Sequence, residues 1–281
     1  MELAASPRLG HLYGAAALSA ARLSRPASLP DVTFVLRDVA VSPDRLAAYD
    51  RVCGYRLTDV LPPTYPHVLA FPLGMALMTR PDFPLPPLGL VHVANSVTVS
   101  RPVRLGERLA FTVRAADLRP HDRGRQFDVL AEARVGDELV WTGRSVYLHR
   151  SRGPSAPTPA GSAAAGPPTP AAVWQIGRRV GPDYADVSGD HNPIHTSRVA
   201  ARLFGFPSSI AHGMWSKARC LAALEGRLPD AYTVDVAFKL PVVLPARVGF
   251  SAQRTDGWRF ALHDARTGKP HLTGTLAVHD P

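Results

Sequence analysis

The hydrophobic pattern of the chain passes twice from a helical period to an alternating one. In the second half, apolar residues recur at helical spacing over residues 213–225, and a shorter helix is predicted over residues 196–204. Alternation then predicts short strands over residues 234–240, 248–253, 258–264 and 271–278. In the first half, residues 109–115, 127–133 and 140–148 alternate in the same way. Helices followed by an antiparallel meander predict an α+β fold in each half, in which a sheet wraps one central helix.

A Pro- and Ala-rich segment separates the two halves. Residues 151–172 read SRGPSAPTPAGSAAAGPPTPAA and contain no acidic and no aromatic side chain. Such a segment cannot bury enough surface to fold and is typical of an extended linker. We therefore expect an N-terminal tail over residues 1–29, a folded domain over residues 30–150, a linker over residues 151–172 and a second domain over residues 173–281. Each domain then has an ordinary size.

Short matches in the same order relate the two halves. YDRVCG (49–54) corresponds to YADVSG (184–189), and a Val-x-Pro-Asp run precedes each of them. YPHVLAF (65–71) corresponds to FPSSIAH (206–212), and VSRPVRLG (99–106) corresponds to FKLPVVLP (238–245). Each match is weak by itself, but the conserved order within the chain indicates a duplication.

Composition and charge narrow the class of protein. A hydrophobic fraction of 46% with 20% charged residues excludes a disordered chain. The net charge of +9 favours anionic partners, but the arginines are dispersed along the chain, which argues against a nucleic-acid module. Cys53 and Cys220 are too few for a disulfide framework, and no apolar run reaches membrane-spanning length. We therefore expect a cytoplasmic protein with no nucleic-acid partner and no membrane span.

The densest group of chemically active side chains lies in YADVSGDHNPIH (184–195). Pro193 disfavours a helix at Asn192, so the run predicts a turn in which Asp190 and His195 converge. A carboxylate and an imidazole within reach of one water form an acid/base pair. Further along, AHGM (211–214) opens the central helix, where the amide of Gly213 and the helix dipole can stabilise an oxyanion. Together these features predict a site that forms an enolate.

Other interpretations of the same residues stay open. Asp190 and His195 also fit a structural turn, with the carboxylate accepting from backbone amides and the imidazole capping a helix. Asp190, His191 and His195 resemble a metal cluster, but Pro193 interrupts the helix that a His-x3-His ligand pair needs. His212 is the one further ligand nearby. We therefore predict that the site holds no metal.

The motif resembles that of a known family. The hydratase 2 motif is similar to a run of this chain that reads Tyr184-x-x-Val187-Ser188-Gly189-Asp190-x-Asn192-Pro193-Ile194-His195. The similarity continues with Ala201, Gly205-Phe206 and Ile210-Ala211-His212-Gly213-Met214. That motif marks the MaoC-like, (R)-specific enoyl-thioester hydratases and dehydratases, which have a hot-dog fold. The whole chain is similar to the double hot-dog 3-hydroxyacyl-thioester dehydratases of high-GC actinobacteria. The resemblance implies two tandem hot-dogs and a hydro-lyase that interconverts trans-2-enoyl and (3R)-3-hydroxyacyl thioesters in fatty-acid metabolism.

The resemblance also implies roles for individual residues. It implies that Asp190 and His195 are the catalytic pair and that Asn192 orients them. The amide of Gly213 would donate a hydrogen bond to the thioester oxygen. The neighbours of Gly213 become candidates for substrate binding, namely Ile210, His212 and Met214. For His212, a capping or packing role is the alternative. Ser197 stands where the family often has an acidic residue, and serine is itself a good N-cap.

The first half departs from the motif. Tyr55 stands opposite Asp190, and Phe71 and Pro72 replace the His and Gly of AHG. Proline has no amide hydrogen to donate, so we expect one active site per chain. Phe71, Met75 and Met78 are candidates for an acyl channel, although such residues are usually ordinary core. The run PDFPLPP (81–87) ends the first central helix early, and we expect this to open space for a long acyl chain.

The expected partner is an acyl thioester carried on CoA or on an acyl carrier protein. No cofactor is expected, since water and a positioned acid/base pair suffice, and the charge of +9 suits either carrier. Two alternatives remain: a hot-dog acyl thioesterase, in which a carboxylate activates water towards the carbonyl, and a non-catalytic subunit that binds acyl groups or supports a partner. Two hot-dogs in one chain predict either a monomer that pairs internally or a homodimer of such chains.

Overall fold

A computed structural model describes residues 1–20, 24–150 and 169–279 of the chain. The first half contains β1 (Glu2–Leu3), α1 (Leu9–Ala20), β2 (Thr33–Val39), α2 (Pro43–Cys53), α3 (Tyr65–Met78), β3 (Leu90–Val99), β4 (Leu109–His121), β5 (Gly124–Val135) and β6 (Glu138–Arg150). The second half contains β7 (Ala172–Ile176), α4 (Val180–Ser188), α5 (Pro193–Thr196), α6 (Arg198–Leu203), α7 (Gly213–Ala222), β8 (Tyr232–Phe238), β9 (Ala246–Arg254), β10 (Trp258–Asp264) and β11 (Pro270–Val278).

The strands of both halves form one continuous sheet, in the order β1-β2-β4-β5-β6-β3-β8-β11-β10-β9-β7. The halves meet where β3 pairs with β8 in antiparallel register, from Ala94 opposite Ala237 to Val99 opposite Tyr232. The duplicated units therefore associate within one chain, through main-chain hydrogen bonds at the centre of the sheet.

Each half wraps its strands around one central helix, α3 in the first half and α7 in the second. α3 contacts β4 and β5, and α7 contacts β10. The inward side chains are fully excluded from solvent, as Leu73 and Leu77 of α3 and Ala218 and Leu221 of α7 show with 0% exposure. The predicted α+β organisation is confirmed, because most side chains of each central helix are buried in the core that the sheet encloses.

The helices α2 and α4 are the structural counterparts of the repeat. They pack against each other, and each ends at a glycine in the left-handed region, Gly54 with φ 81° and Gly189 with φ 77°. Glycine adopts this conformation without the steric cost that a Cβ would bring. The equivalent sequence positions thus end equivalent helices.

Several predicted helix bounds were wrong. The helix predicted over residues 196–204 is divided into α5 and α6 at Ser197, whose backbone is extended and whose hydroxyl accepts from the Ala200 amide at 3.3 Å. Asn192 has a non-helical backbone with ψ 123°, as the sequence predicted, but Pro193 after it begins the one-turn helix α5, because the first position needs no amide hydrogen. α7 ends at Ala222, before the predicted Glu225, because the chain turns towards Gly226, whose φ is 77°.

The N-terminal segment belongs to the folded body. β1 pairs with β2, with Glu2 opposite Val35, and α1 contacts α3. The sequence indicated a tail over residues 1–29, because the segment is rich in alanine and other small residues. Residues 151–168 of the predicted linker lie outside the described residues, and Ala172 already begins β7. The domain boundaries themselves stay predictions. Within the described ranges, no helix has the length and apolar character needed to cross a membrane.

Candidate active site

The turn between α4 and α5 fixes the direction of Asp190. Ser188 donates to the carbonyl oxygen of Tyr184 at 2.6 Å, and the same hydroxyl accepts from the Asp190 amide at 3.2 Å. Gly189 reverses the chain between them, and a side chain at this position would also collide with Leu9 of α1. The backbone is therefore held on both sides of the carboxylate.

Asp190 is surrounded by donors. Its Oδ1 accepts from the Tyr13 hydroxyl at 2.9 Å and from the Asn192 amide at 3.2 Å. Burial by itself raises the pKa of Asp190, but the positive charges that His212 and His195 carry in acid, together with these two hydrogen bonds, outweigh burial and hold the pKa below its ordinary value. The carboxylate is therefore ionised at neutral pH.

The one-turn helix α5 carries His195, which is 8% exposed. Asn192 caps this helix by accepting from the Ile194 amide at 3.4 Å, so Asn192 holds both members of the predicted pair. Nδ1 of His195 lies 2.8 Å from the carbonyl oxygen of Ile210. A carbonyl oxygen only accepts, so Nδ1 carries the proton and Nε2 remains an acceptor. Burial lowers the pKa of His195, and the neutral ring can take up a proton at Nε2.

His212 packs on both predicted catalytic residues. Its Nε2 donates to the backbone oxygen of Asp190 at 2.8 Å, and its ring stacks on His195 with centroids 3.7 Å apart and planes inclined by 26°. Burial lowers the pKa of His212 to about 3, so the ring is neutral. Its side chain makes no capping hydrogen bond to α7. The geometry therefore fits a packing and positioning role at the edge of the cavity.

The amide of Gly213 stands at the first position of α7, where helix N–H groups have no partner within the helix. A Cβ at this position would lie 3.1 Å from the ring of Phe238, so glycine keeps the space beside the amide open. Ile210 and Met214 flank His212 and Gly213 and line the same cavity. The structure thus brings together all the site residues that the sequence indicated.

Both halves line this cavity, which has a volume of about 810 Å³. The second half supplies the acid/base pair and the Gly213 amide. The first half supplies Phe71, Met75 and Met78 from α3, the residues that the sequence indicated for an acyl channel. A cavity of this size suits a small-molecule ligand, and it opens between two units joined by the β3–β8 pair.

The cavity residues that the sequence analysis missed include Tyr13, His67, His92 and Tyr147. These four lie in the first half, outside the motif. Tyr13 reaches Asp190 across 177 positions of the sequence. No local pattern reports a contact of this kind, because it depends on how α1 and the first half of the sheet pack against the second half.

Three side chains of the site carry atoms that can ligate a metal ion. Ligand atoms of Asp190, His195 and His212 all lie within 4.8 Å of one another. The two rings are stacked, however, so the lone pairs in their planes run side by side and do not converge on one ion. One nitrogen of each ring is also engaged by a carbonyl oxygen. This arrangement suits proton transfer better than metal binding, and the absence of a metal stays a prediction.

The corresponding part of the first half has a different chemistry. Tyr55, the counterpart of Asp190, is buried and lies 3.4 Å from the Thr64 hydroxyl, which also accepts from Tyr49 at 2.8 Å. Phe71 and Pro72 lie inside α3, whereas their counterparts stand at the start of α7. These contacts support a single site per chain, which stays a prediction.

Comparisons with known proteins agree with this geometry. A family model described as a MaoC like domain matches residues 181–274. The chain is also 40% identical over 271 residues to 3-hydroxyacyl-thioester dehydratase X of Mycobacterium tuberculosis, across 95% of this chain and 97% of that protein. The chain belongs to the MaoC-like dehydratase family. The resemblance inferred from the hydratase 2 motif is therefore confirmed.

Solved structures extend the similarity to the fold of this MaoC-like protein. The crystal structure of HtdX of Mycobacterium tuberculosis matches with a TM-score of 0.80 at 38% identity, over 88% of this chain and 100% of that chain. A second M. tuberculosis structure, described as a double hotdog fold, matches with a TM-score of 0.54 at 16% identity, over 92% and 99% of the two chains. The predicted double hot-dog class is confirmed, while the roles of individual site residues stay predictions.

Proposed function

We propose that this MaoC-like dehydratase interconverts trans-2-enoyl and (3R)-3-hydroxyacyl thioesters in fatty-acid metabolism. One observation carries the proposal: Asp190 and the neutral His195 lie with their ligand atoms within 4.8 Å of each other, in a cavity that also contains the Gly213 amide. The similarity to a 3-hydroxyacyl-thioester dehydratase supports the same reaction. We further propose that Asp190 and His195 are catalytic and that the chain has one such site.

The first step of dehydration needs a base and a stabilised enolate. The thioester oxygen accepts from the Gly213 amide at the positive end of α7. This contact acidifies the hydrogen on the carbon next to the thioester. Nε2 of His195 then takes that proton, because its other nitrogen is held as a donor by Ile210.

The second step breaks the bond between the third carbon and its hydroxyl oxygen. Asp190 is ionised, so the proton that the departing oxygen needs comes from the protonated His195. The carboxylate accepts a hydrogen bond from the 3-hydroxyl and stabilises the transient imidazolium. One proton and one hydroxide leave as water, a double bond forms, and both side chains return to their starting states. Hydration follows the same steps in reverse.

The carrier of the acyl group is CoA or an acyl carrier protein, both of which are anionic. Exposed cations on the cavity lining, Arg150 and Lys239, suit a phosphate-bearing group at the entrance. The chain as a whole carries a net charge of +9. We expect the enzyme to act in the cytoplasm, where such thioesters are used.

The direct test follows two signals from the purified protein with trans-2-enoyl-CoA substrates of several chain lengths. We expect the enoyl absorbance to fall without release of free thiol. Asp190→Asn and His195→Ala should each lower kcat/KM by about 10³. Asp186→Asn and His191→Ala are matched controls, because both residues are exposed neighbours that take no part in the proposed chemistry.

Other outcomes point to other functions. Release of thiol would indicate an acyl thioesterase, and an unchanged enoyl absorbance at every chain length would indicate a non-catalytic subunit. Full activity in both catalytic variants, with the wild-type protein active, would overturn the assignment of the pair.

A further inference from the structure

The first half supplies one wall of the cavity with ring side chains that the proposed chemistry does not use. These are His67 in the first turn of α3, His92 in β3 and Tyr147 in β6, named here the His67–His92 cluster. The His92 ring lies 4.8 Å from that of Tyr147 and 6.2 Å from that of His67, with planes inclined by 20° and 17°. The cluster therefore presents a continuous face of parallel rings.

The fold directs His92 towards the reacting groups. β3 and β8 are paired only from Ala94 onward, and β3 has a bulge between His92 and Ala94. A bulge changes the direction of the side chain beside it, and His92 consequently lies where the two strands separate. Its ring is 5.0 Å from that of Phe238, the residue that lies beside Gly213. The cluster thus begins one ring away from the proposed oxyanion donor.

The two imidazoles are neutral, and one nitrogen of His92 lacks a hydrogen-bond partner among the described residues. Burial lowers the pKa of His67 to about 4 and that of His92 to about 3. A neutral imidazole has one donor and one acceptor nitrogen. Nε2 of His92 is buried and makes no hydrogen bond to any described residue. The cluster therefore offers hydrogen bonding without a positive charge.

The rest of this wall is apolar. Phe71, Met75 and Met78 continue it along α3, and the His67 ring lies 6.4 Å from that of Phe71. A plain alkyl chain placed along the wall has no partner to offer Nε2 of His92, which would stay buried and unpaired. Sites built to bond a polar substrate group discriminate strongly against the analogue that lacks it.

We propose that the His67–His92 cluster is a subsite for an uncharged oxygen-bearing group, a hydroxyl or a carbonyl, on the acyl chain beyond the third carbon. The inference rests on the proposed function, since it places an acyl thioester in the cavity. It defines the preferred substrates as oxygenated acyl thioesters. The neutral rings do not favour a carboxylate, and the apolar residues that follow accommodate the remainder of the chain.

The test compares matched pairs of trans-2-enoyl-CoA substrates of eight carbons, with and without a hydroxyl at carbon 5, 6, 7 or 8. For at least one position, we expect wild-type kcat/KM to exceed that of the plain chain by about tenfold. His92→Phe retains a ring against Tyr147 and Phe238 but has no nitrogen, so the preference should disappear. Met75→Leu is the matched control, because it changes an apolar part of the wall and should retain the preference.

The outcomes separate this subsite from the proposed reaction. Wild-type turnover of the plain chain with no preference for any hydroxylated chain would overturn the subsite and leave the reaction intact. The subsite would also be overturned if His92→Phe lowered kcat/KM equally for the hydroxylated substrate and for the plain substrate of a pair. If the wild-type protein turns over no member of the series, the proposed function fails and the subsite fails with it. The wild-type comparison requires no variant and stands even where His92→Phe does not fold.

Discussion

Tyr13 and Asp190 are joined by a hydrogen bond of 2.9 Å, in which the phenol donates to Oδ1 of the carboxylate. Burial, and then the Asp190 charge, raise the pKa of Tyr13, so the phenol remains a donor at any ordinary pH. The other carboxylate oxygen of Asp190, Oδ2, lies 3.9 Å from Nε2 of His212. The helix α1 thereby contributes a side chain that holds the carboxylate in place.

Replacing Tyr13 by phenylalanine removes this donor and retains the ring. The hydrogen bond lowers the pKa of Asp190, so its loss should raise that pKa and move the acidic limb of the kcat/KM profile to higher pH. We also expect kcat/KM at neutral pH to fall about tenfold. The measurement is a full pH profile, with His11→Ala as control, since His11 is exposed on the same helix. An acidic limb at the wild-type position would contradict a positioning role for Tyr13.

The contrast between Asp190 and Tyr13 shows what the sequence could predict. Asp190, Asn192 and His195 lie in one run whose turn chemistry is local, so their convergence followed from residue types and spacing. Gly213 followed in the same way from the start of a helix. Tyr13 contributes through the packing of α1 across the molecule, which depends on the tertiary fold.

The two halves of the fold were predictable for a related reason. The helix-then-alternation pattern repeats, and glycines at corresponding places end α2 and α4. Breaks inside helical segments were harder to predict, because Ser197 fits both a helix and an N-cap. The bulge that turns His92 into the cavity has no sequence signal of its own.

Lys217 is fully buried where the two halves join. Its Nζ donates to Asn95 Oδ1 at 2.6 Å and to the Val234 carbonyl at 3.1 Å, which links β3 to β8. Burial lowers the pKa of Lys217 to about 7. The folded state therefore binds fewer protons than the unfolded state between pH 7 and the ordinary lysine pKa. The contribution of Lys217 to the free energy of unfolding therefore rises with pH through that window and is constant below it.

Lys217→Met isolates this contribution. The free energy of unfolding of the wild-type protein, minus that of the variant, should increase by up to about 1.4 kcal/mol for each pH unit above pH 7. Urea denaturation of both proteins at pH 7, 8 and 9 measures the two free energies of unfolding. Their difference does not contain the contributions of the other titrating groups, because these are the same in both proteins. A difference that stays constant across this range would show that the lysine is charged throughout it.

Gly181 lies in α4 against the segment that carries His195. A Cβ at this position would overlap the backbone carbonyl oxygen of His195, which is not free to move as a side chain is. Gly181→Ala should therefore displace α5, destabilise the protein by about 1–3 kcal/mol and lower kcat. Gly177→Ala is the control, since no atom of the described residues lies within 4 Å of a Cβ there. Denaturation and steady-state kinetics give both quantities, and full activity in Gly181→Ala would refute the constraint.

Gly213→Ala tests the oxyanion donor without removing it. The alanine amide is still a donor and alanine suits the first turn of a helix, so the free energy of unfolding should change little. Its Cβ would lie 3.1 Å from the Phe238 ring, which crowds the approach to the amide, and we expect kcat to fall about 10². If crowding is the cause, Phe238→Leu in the Gly213→Ala background restores part of kcat, because the smaller side chain reopens the space. Steady-state kinetics of Gly213→Ala, Phe238→Leu and the double variant decide this. A Gly213→Ala enzyme with wild-type kcat would show that the Cβ does not crowd the approach to this amide.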